Sequence, residues 1–266
     1  MVRTGIYIYR VVSSSVANFE EKIDRKFGYS KWTFAALFKP TVFFGMYHPL
    51  DYAKFILHRG EKTVFWCGAD ILNLAKSPWQ QVLRYVPARH VCENEIERAK
   101  LLELGIYASI KPQFFDDFPK EISFKATRKP HVYLTMHEGR EKEYGLDWIL
   151  SAAQELPEIT FHVYGILGED TKNVRYHGRV ENRQFNEEIK EYQASIRLNR
   201  FDGFSEITAK SILLGQYPIT RIHYGGITCV PSLRGLVNAL RMLKTRRKPN
   251  PLREVWYQIL CQKNLV

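Results

Sequence analysis

Short apolar runs alternate with amphipathic stretches along most of this chain. Ile6 to Val11 and Thr41 to Met46 are rich in β-branched and aromatic residues and predict strands. After the second run, Pro49 starts a helix through Tyr52, Phe55 and Ile56 that stops at Gly60. Thr63 to Trp66 predicts the next strand, and His90 to Cys92 another. Asn94, with Glu97 three residues on, makes a capping-box start to a helix that ends at Gly105.

The period fails between residues 112 and 129. Pro112, Pro119 and the following Pro130 interrupt it, as do the charges Asp116, Asp117, Lys120, Lys125, Arg128 and Lys129, and the segment reads as an interdomain linker. Alternation then restarts. His131 to Met136, Thr160 to Tyr164, Val174 to His177 and Ser195 to Leu198 predict strands. Gly145 to Leu156 predicts a helix, and Asn186 to Tyr192 lies in another. From Ser232 the chain is helical and basic, breaks at Pro249-Asn250-Pro251, and ends in a helix through Trp256 and Leu260. Strands and helices taking turns in two halves predict an α/β protein of two Rossmann-like domains with parallel sheets facing across a cleft. The expected division is 1–120, 121–231 and a helical tail 232–266. Ligands in such sheets bind beyond the carboxyl ends of the strands.

Composition narrows the class. With 266 residues, 45% of them hydrophobic and 14% aromatic, the chain can bury a real core. No apolar run approaches the ~20 residues of a membrane-spanning helix. The first residues, Met1 to Tyr9, lack the apolar centre and cleavage site of a signal peptide. Cys67, Cys92, Cys229 and Cys261 are far apart, and no histidine stands at metal-ligand spacing from carboxylates, so no metal centre is expected. A cytoplasmic setting follows, with peripheral contact at the inner membrane surface as an extension of it. The formal charge of +11 suits phosphate-bearing ligands, an anionic membrane surface or nucleic acid. Its densest run is Lys244 to Lys248, with Arg241 and Arg253 nearby. A solvated helix end is its plainer explanation; contact with anionic lipid or nucleic acid is the other.

The richest block runs from Arg200 to Ile219. Asp202-Gly203 makes a loop, Ser205 is placed as an N-cap, and Ile207, Ile212 and Leu213 share an apolar face. Gly215 stops the helix and Tyr217 to Thr220 suits a strand. A helix opening straight from a loop offers free N–H groups to an anion. This block resembles the GT-B glycosyltransferases of the GT4 kind (glycosyl transferases group 1). There an acidic-Gly-Phe-Gly loop leads into a helix carrying Glu-Ala, followed by Gly-x-Pro and a strand. Asp202-Gly203-Phe204-Ser205 matches the loop, and Gly215-Gln216-Tyr217-Pro218 matches the end. The family's second acid, which holds the nucleotide ribose, falls on Lys210, and a lysine accepts no hydrogen bond. Either Glu206, one turn earlier, takes that role, or donor binding has been lost.

The resemblance extends to three further segments. His137-Glu138-Gly139-Arg140 follows a strand and looks like the family's Gly-Arg segment, which implies that Arg140 clamps the donor diphosphate; taken alone, it reads as a loop arginine in a surface salt bridge. The family's accompanying lysine is Tyr144 here, and Lys142 is the nearby substitute. Gly165, after a strand, fits the glycine against which the nucleotide base packs; its plain alternative is a turn. Trp66-Cys67-Gly68-Ala69-Asp70 resembles an acceptor-domain segment, with Asp70 read as a general base or, equally, as a turn former. His48, at a strand-to-helix junction, either meets acceptor or sugar or serves as a turn residue. The expected catalytic set is thus Asp202, Arg140, Asp70 and His48. The expected donor set is Arg140, Lys142, Gly165, Arg200, Gly203, Phe204, Ser205 and Glu206, with no metal.

The function so implied is transfer of a sugar from a nucleotide-diphosphate donor, UDP- or GDP-linked, to an acceptor hydroxyl. The resemblance implies retention of configuration without a metal and without a permanently bound cofactor. It also implies a last helix around Trp256 that crosses back to the N-terminal domain, and a hinge near 112–129. The acceptor stays open among glycan, lipid, protein and modified DNA. Two other readings stand beside this one. Lys210, and Val12-Ser13-Ser14-Ser15 in place of the family's first glycine-rich loop, suit a sugar-nucleotide or glycan binder without catalysis. The net charge suits a nucleic-acid-directed protein, including a DNA-base glucosyltransferase.

Overall fold

A computed structural model describes residues 7–119, 121–263 and 265. Ile6, placed at the start of the first expected strand, and Lys120, counted in the linker, lie outside these, as do Met1 to Thr4 and Gly5. The chain forms two compact units. One runs to Asp116 and also takes in Phe201–Phe204 and the chain from Leu260 onward; the other holds Asp117–Arg200 and Ser205–Ile259.

The first unit carries β1 (Tyr9–Val12), α1 (Glu20–Phe27), β2 (Ser30–Lys31), β3 (Thr41–Phe44), α2 (Pro49–Leu57) and β4 (Lys62–Phe65). It continues with α3 (Ala69–Leu74), α4 (Trp79–Tyr85), β5 (Arg89–Cys92), α5 (Glu95–Glu103) and β6 (Ala108–Ile110). Its sheet has the order β2-β1-β3-β4-β5-β6, all parallel. Every residue of β3 is buried, and alternate side chains enter different cores. Phe43 packs with Phe55, Val64 and Trp66, whereas Val42 and Phe44 pack with Ile23 and Phe65. A parallel sheet covered on both faces therefore demands an unbroken apolar run, which is what Thr41 to Met46 supplies.

The second unit carries β7 (His131–Thr135), α6 (Leu146–Glu155), β8 (Thr160–Tyr164), β9 (Val174–Gly178), α7 (Asn182–Glu188) and β10 (Ala194–Arg197). Then come α8 (Glu206–Leu213), β11 (Ile219–Thr220), β12 (Thr228–Cys229), α9 (Leu233–Leu243) and α10 (Arg253–Leu260). Its sheet is again parallel, in the order β12-β11-β10-β7-β8-β9. Counted within the unit, this is the Rossmann order third-second-first-fourth-fifth-sixth. The topology turns back on itself between β7 and β10.

Histidines add a polar seam across three strands of this sheet. His131 Nδ1 lies 2.9 Å from His162 Nε2, and His162 Nδ1 lies 2.9 Å from His177 Nε2. Burial, then the neighbouring histidines, pull His162 down to about 3, so the middle ring is neutral and can donate on one side while accepting on the other.

Two features of the division differ from the expected one. Phe201–Phe204 joins the first unit because Glu93 and Asn94 bind its backbone: Phe204 N donates to Glu93 Oε2 at 2.9 Å, and Asn94 Nδ2 donates to Asp202 O at 2.7 Å. Trp256, expected on the N-terminal domain, packs within the second unit, where Nε1 donates to Gly225 O and the ring meets Tyr224 edge-on. The chain joins the first unit only at Leu260, whose carbonyl accepts from Lys26 Nζ at 2.8 Å.

Gly165 shows how closely backbones approach at the carboxyl ends of β7 and β8. Its φ is +92°, and a Cβ there would lie 2.1 Å from Met136 O. Gly165→Ala therefore combines a disfavoured φ with a backbone clash. We expect it to cost about 1–3 kcal/mol or more, read as a lowered midpoint in chemical denaturation. Unchanged stability would mean that the β7 and β8 ends are not held in this contact.

Candidate functional site

The reversal between β7 and β10 makes their carboxyl ends a topological switch point, the place where open α/β sheets bind ligands in a crevice. The chain leaving β7 turns at once, with Arg140 N donating to His137 O, and Gly139 takes a φ of +78°. Arg140 follows. Its guanidinium reaches Glu143 Oε2 at 2.9 Å from Nε, in an i,i+3 pair whose side chains are 52% and 59% exposed. Such a pair is worth little and yields readily to a stronger anion. The Arg140 Cζ also stands 5.7 Å from the centre of the Tyr144 ring.

The chain leaving β10 brings Leu198, Asn199 and Arg200. Asn199 is 5% exposed, and its Oδ1 has no hydrogen-bond partner among the described residues. An unmet buried acceptor is costly unless a ligand supplies a donor. Arg200 is exposed and lies near Arg221, whose guanidinium stacks 4.4 Å over Trp148. Burial, then the charge of Arg200, pull Arg221 down from its ordinary pKa. Lys142 is exposed. Of the expected donor set, Arg140 and Arg200 thus stand on the segments that leave β7 and β10. Gly165 ends β8 next to β7.

Helix α8 starts where the sequence places it. Ser205 is the N-cap by backbone conformation, though its side chain makes no capping bond. Glu206 Oε1 meets Lys210 Nζ at 2.7 Å, and the buried Lys210 ammonium also stands 5.5 Å from the Phe185 ring. The lysine in the family's acid position therefore draws in the glutamate that was the alternative ribose partner.

The loop amides require a correction. Gly203 and Phe204 were expected to offer their N–H groups to the donor. Instead Phe204 N is held by Glu93 Oε2, and Gly203 N donates to Asp202 Oδ1 at 3.1 Å. A Cβ on Gly203 would lie 2.2 Å from Glu93 Oε2, so the glycine is needed for this carboxylate to approach. The amides of this loop are thus bound by acid groups.

Asp70 is also embedded. It is 0% exposed and accepts from Met46 N, Cys67 N and Ile71 N at 3.0 to 3.1 Å. That is the turn-forming role, enclosed by backbone, and not the position of a base that reaches an acceptor. His48 is exposed at the start of α2, where Nε2 lies 2.8 Å from Ser15 Oγ. Asp51 Oδ2 gathers Ser13 Oγ, Tyr47 N and His48 N beneath it. His48 thus stands at the carboxyl end of β3 beside that of β1, which is the reversal point of the first sheet.

Sequence reading missed the acids around the loop. Glu93 Oε1 accepts from Gln113 N at 3.0 Å, and Glu97 Oε2 accepts from Glu93 N at 2.6 Å. Glu97 Oε1 is buried without a hydrogen-bond partner among the described residues. Burial pushes Asp70 up to about 7 and Glu93 up to about 8, and burial next to Glu93 pushes Glu97 well above the carboxylate range. The capping pattern at Asn94 and Glu97 was the available signal; it announced a helix start and hid a buried acid.

Comparison with known proteins fixes the fold. No protein-family model matches the sequence, and no curated protein matches it. Solved structures do. HepE of Anabaena, in complex with UDP and glucose, is 11% identical over 96% of this chain and 95% of its own, with a TM-score of 0.62. The lipopolysaccharide outer core galactosyltransferase WaaB is 13% identical over 95% of this chain and 78% of its own, with a TM-score of 0.59. The pneumococcal O-GlcNAc transferase GtfA, in complex with UDP and GlcNAc, is 14% identical with a TM-score of 0.51; this chain spans 54% of its length. The fold is GT-B, with two Rossmann-like units.

The buried acids make stability depend on pH. Asp70 and Glu93 keep their protons in the folded chain where the unfolded chain, with pKa values near 4, has lost them. Stability from these groups is full below about pH 4 and is lost as pH rises through about 7 and about 8. Glu93→Gln, which has no proton to lose, should flatten the fall of melting temperature between about pH 5 and about pH 8. A variant with the native slope would mean that Glu93 is ionised throughout.

Proposed function

We propose that this chain is a glycosyltransferase that takes a sugar from a nucleoside-diphosphate donor held mainly by the second unit. One observation carries the reading: the reversal point of the Rossmann-ordered sheet coincides with Arg140 on one strand end and the unmet acceptor of Asn199 on the other. A guanidinium fork suits a diphosphate, and a buried carbonyl oxygen suits a sugar or ribose hydroxyl. The GT-B fold supports the same reading, as do the UDP and sugar in the HepE and GtfA structures, which favour a UDP-linked donor over a GDP-linked one.

In this reading the donor's anomeric carbon–oxygen bond breaks with its electron pair going to the β-phosphate. Arg140 meets the charge that develops there, and the amino end of α8 adds its field. The acceptor oxygen bonds to the anomeric carbon and its proton passes to the departing phosphate; the first unit carries exposed His48 and its partner Ser15 as a polar group at its own sheet's reversal point. Retention of configuration and independence of metal remain part of the proposal. Asp202, whose carboxylate turns onto the amide of Gly203, shapes the loop. Among the described residues no helix is long and apolar enough to cross a membrane.

A second reading has one observation in its favour. The Glu206–Lys210 pair replaces an acid with a neutralised couple, which suits a protein that binds sugar nucleotides or glycans without turning them over. The nucleic-acid reading loses ground. In the basic run, Lys244 pairs with Glu158 at 2.6 Å, Arg241 meets Glu155 at 3.5 Å, and Arg246 stacks on Tyr217.

A thermal-shift screen against UDP-, GDP-, ADP- and dTDP-sugars should raise the melting temperature with a UDP-sugar. Arg140→Ala should weaken that ligand roughly tenfold and slow hydrolysis of the donor. Turnover by the variant at the native rate would remove Arg140 from the mechanism; binding without any turnover by the native protein would favour the second reading.

A further inference from the structure

Resting on the donor-binding reading above, we propose that Arg197 supplies the second positive charge of the diphosphate subsite, in place of the lysine that the sequence lacks there. Arg197 is the last residue of β10. The pairing of Ala194 with Val132 and of Ser195 with Tyr133 puts Arg197 level with Thr135, the last residue of β7. It therefore stands at the reversal point itself. Its backbone is fixed from the other side, where Arg221 N donates to Arg197 O at 2.9 Å.

The side chain is fixed by an aromatic ring. Arg197 Cζ lies 4.5 Å from the centre of Tyr144, and Arg140 Cζ lies 5.7 Å from the same centre. Tyr144 is only 5% exposed and meets His137 edge-on, so it is a rigid platform. Cation–π attraction holds each guanidinium to it through the guanidinium face.

This explains what the tyrosine is doing in the lysine's position. A lysine there would carry its own charge. A tyrosine carries none, but it brings together one arginine from each of the two strands that flank the crevice. Two like charges sharing one ring repel, and an anion between or beside them offsets that repulsion. Two planar forks also match the several oxygens of a diphosphate better than one fork and a point charge. Lys142, by contrast, is exposed and lies outside this arrangement. The inferred preference is for two phosphates over one, because two guanidinia share one ring where a single cation would meet a single phosphate.

The test is calorimetric titration of the full chain with UDP, UMP and GDP. Arg197→Gln should weaken UDP at least tenfold while weakening UMP much less, so that the ratio of the two affinities shrinks. Arg197→Lys should retain part of the discrimination, and Tyr144→Leu should lose part of it while keeping both arginines. Circular dichroism and the melting temperature verify that each variant is folded; should Arg197→Gln not fold, the lysine and Tyr144 variants carry the test. Native discrimination in Arg197→Gln, alongside weakened UDP binding in Arg140→Ala, would overturn the role of Arg197 and leave the donor-binding reading standing. Absence of binding of any of these nucleotides to the native chain would overturn both.

Discussion

The return of the chain from β9 to β10 is the constraint on which the rest of the second unit depends. β7, β8 and β9 are laid down in one direction across the sheet, and β10 must then pair with the free edge of β7. Crossovers of fixed hand place their helices on opposite faces either side of that point. The helices that follow β7 and β10 consequently depart toward opposite faces of the sheet. The groups of the proposed donor site sit on those two exits: Arg140 and Tyr144 after β7, Arg197, Asn199 and Arg200 at the end of β10.

The first unit obeys the same rule with a shorter reversal, between β1 and β3, and fills it differently. Ser13, Ser15, Tyr47 and His48 converge there on one carboxylate and one imidazole. Beyond it, Asp70, Glu93 and Glu97 are buried around the approach of Gly68 to Gly203. Each accepts backbone N–H groups of irregular segments that no strand or helix satisfies. The cost of enclosing them is reduced by keeping them protonated, which is what the upward shifts express.

Architecture was legible in the sequence because burial on both faces of a parallel sheet leaves unbroken apolar runs such as Thr41 to Met46 and His131 to Met136. The two-residue strands β2 and β12 were not, since two residues carry no period and owe their pairing to β1 and β11. Arg140 and the start of α8 were readable from local motifs. Arg197 was not: it lies inside a strand, and its role depends on a ring more than fifty residues away in sequence. The histidine seam of His131, His162 and His177 was hidden for the same reason. Gly203 and Phe204 misled because a glycine-containing loop before a helix looks identical whether its amides meet a phosphate or a carboxylate such as Glu93.

Lys210 ties these strands of argument together. Its ammonium is buried beside Phe185, and burial of a charge is tolerable only with a partner. Glu206 is that partner, one turn back on the same helix, so the first turn of α8 carries a neutralised couple instead of an acid. Neutralising that acid leaves the positive end of the helix less compensated. The substitution that breaks the family pattern at the ribose therefore acts in the same direction as Tyr144 and Arg197. In the proposed donor site all three favour phosphate oxygens bound by cations over hydroxyl groups bound by acids.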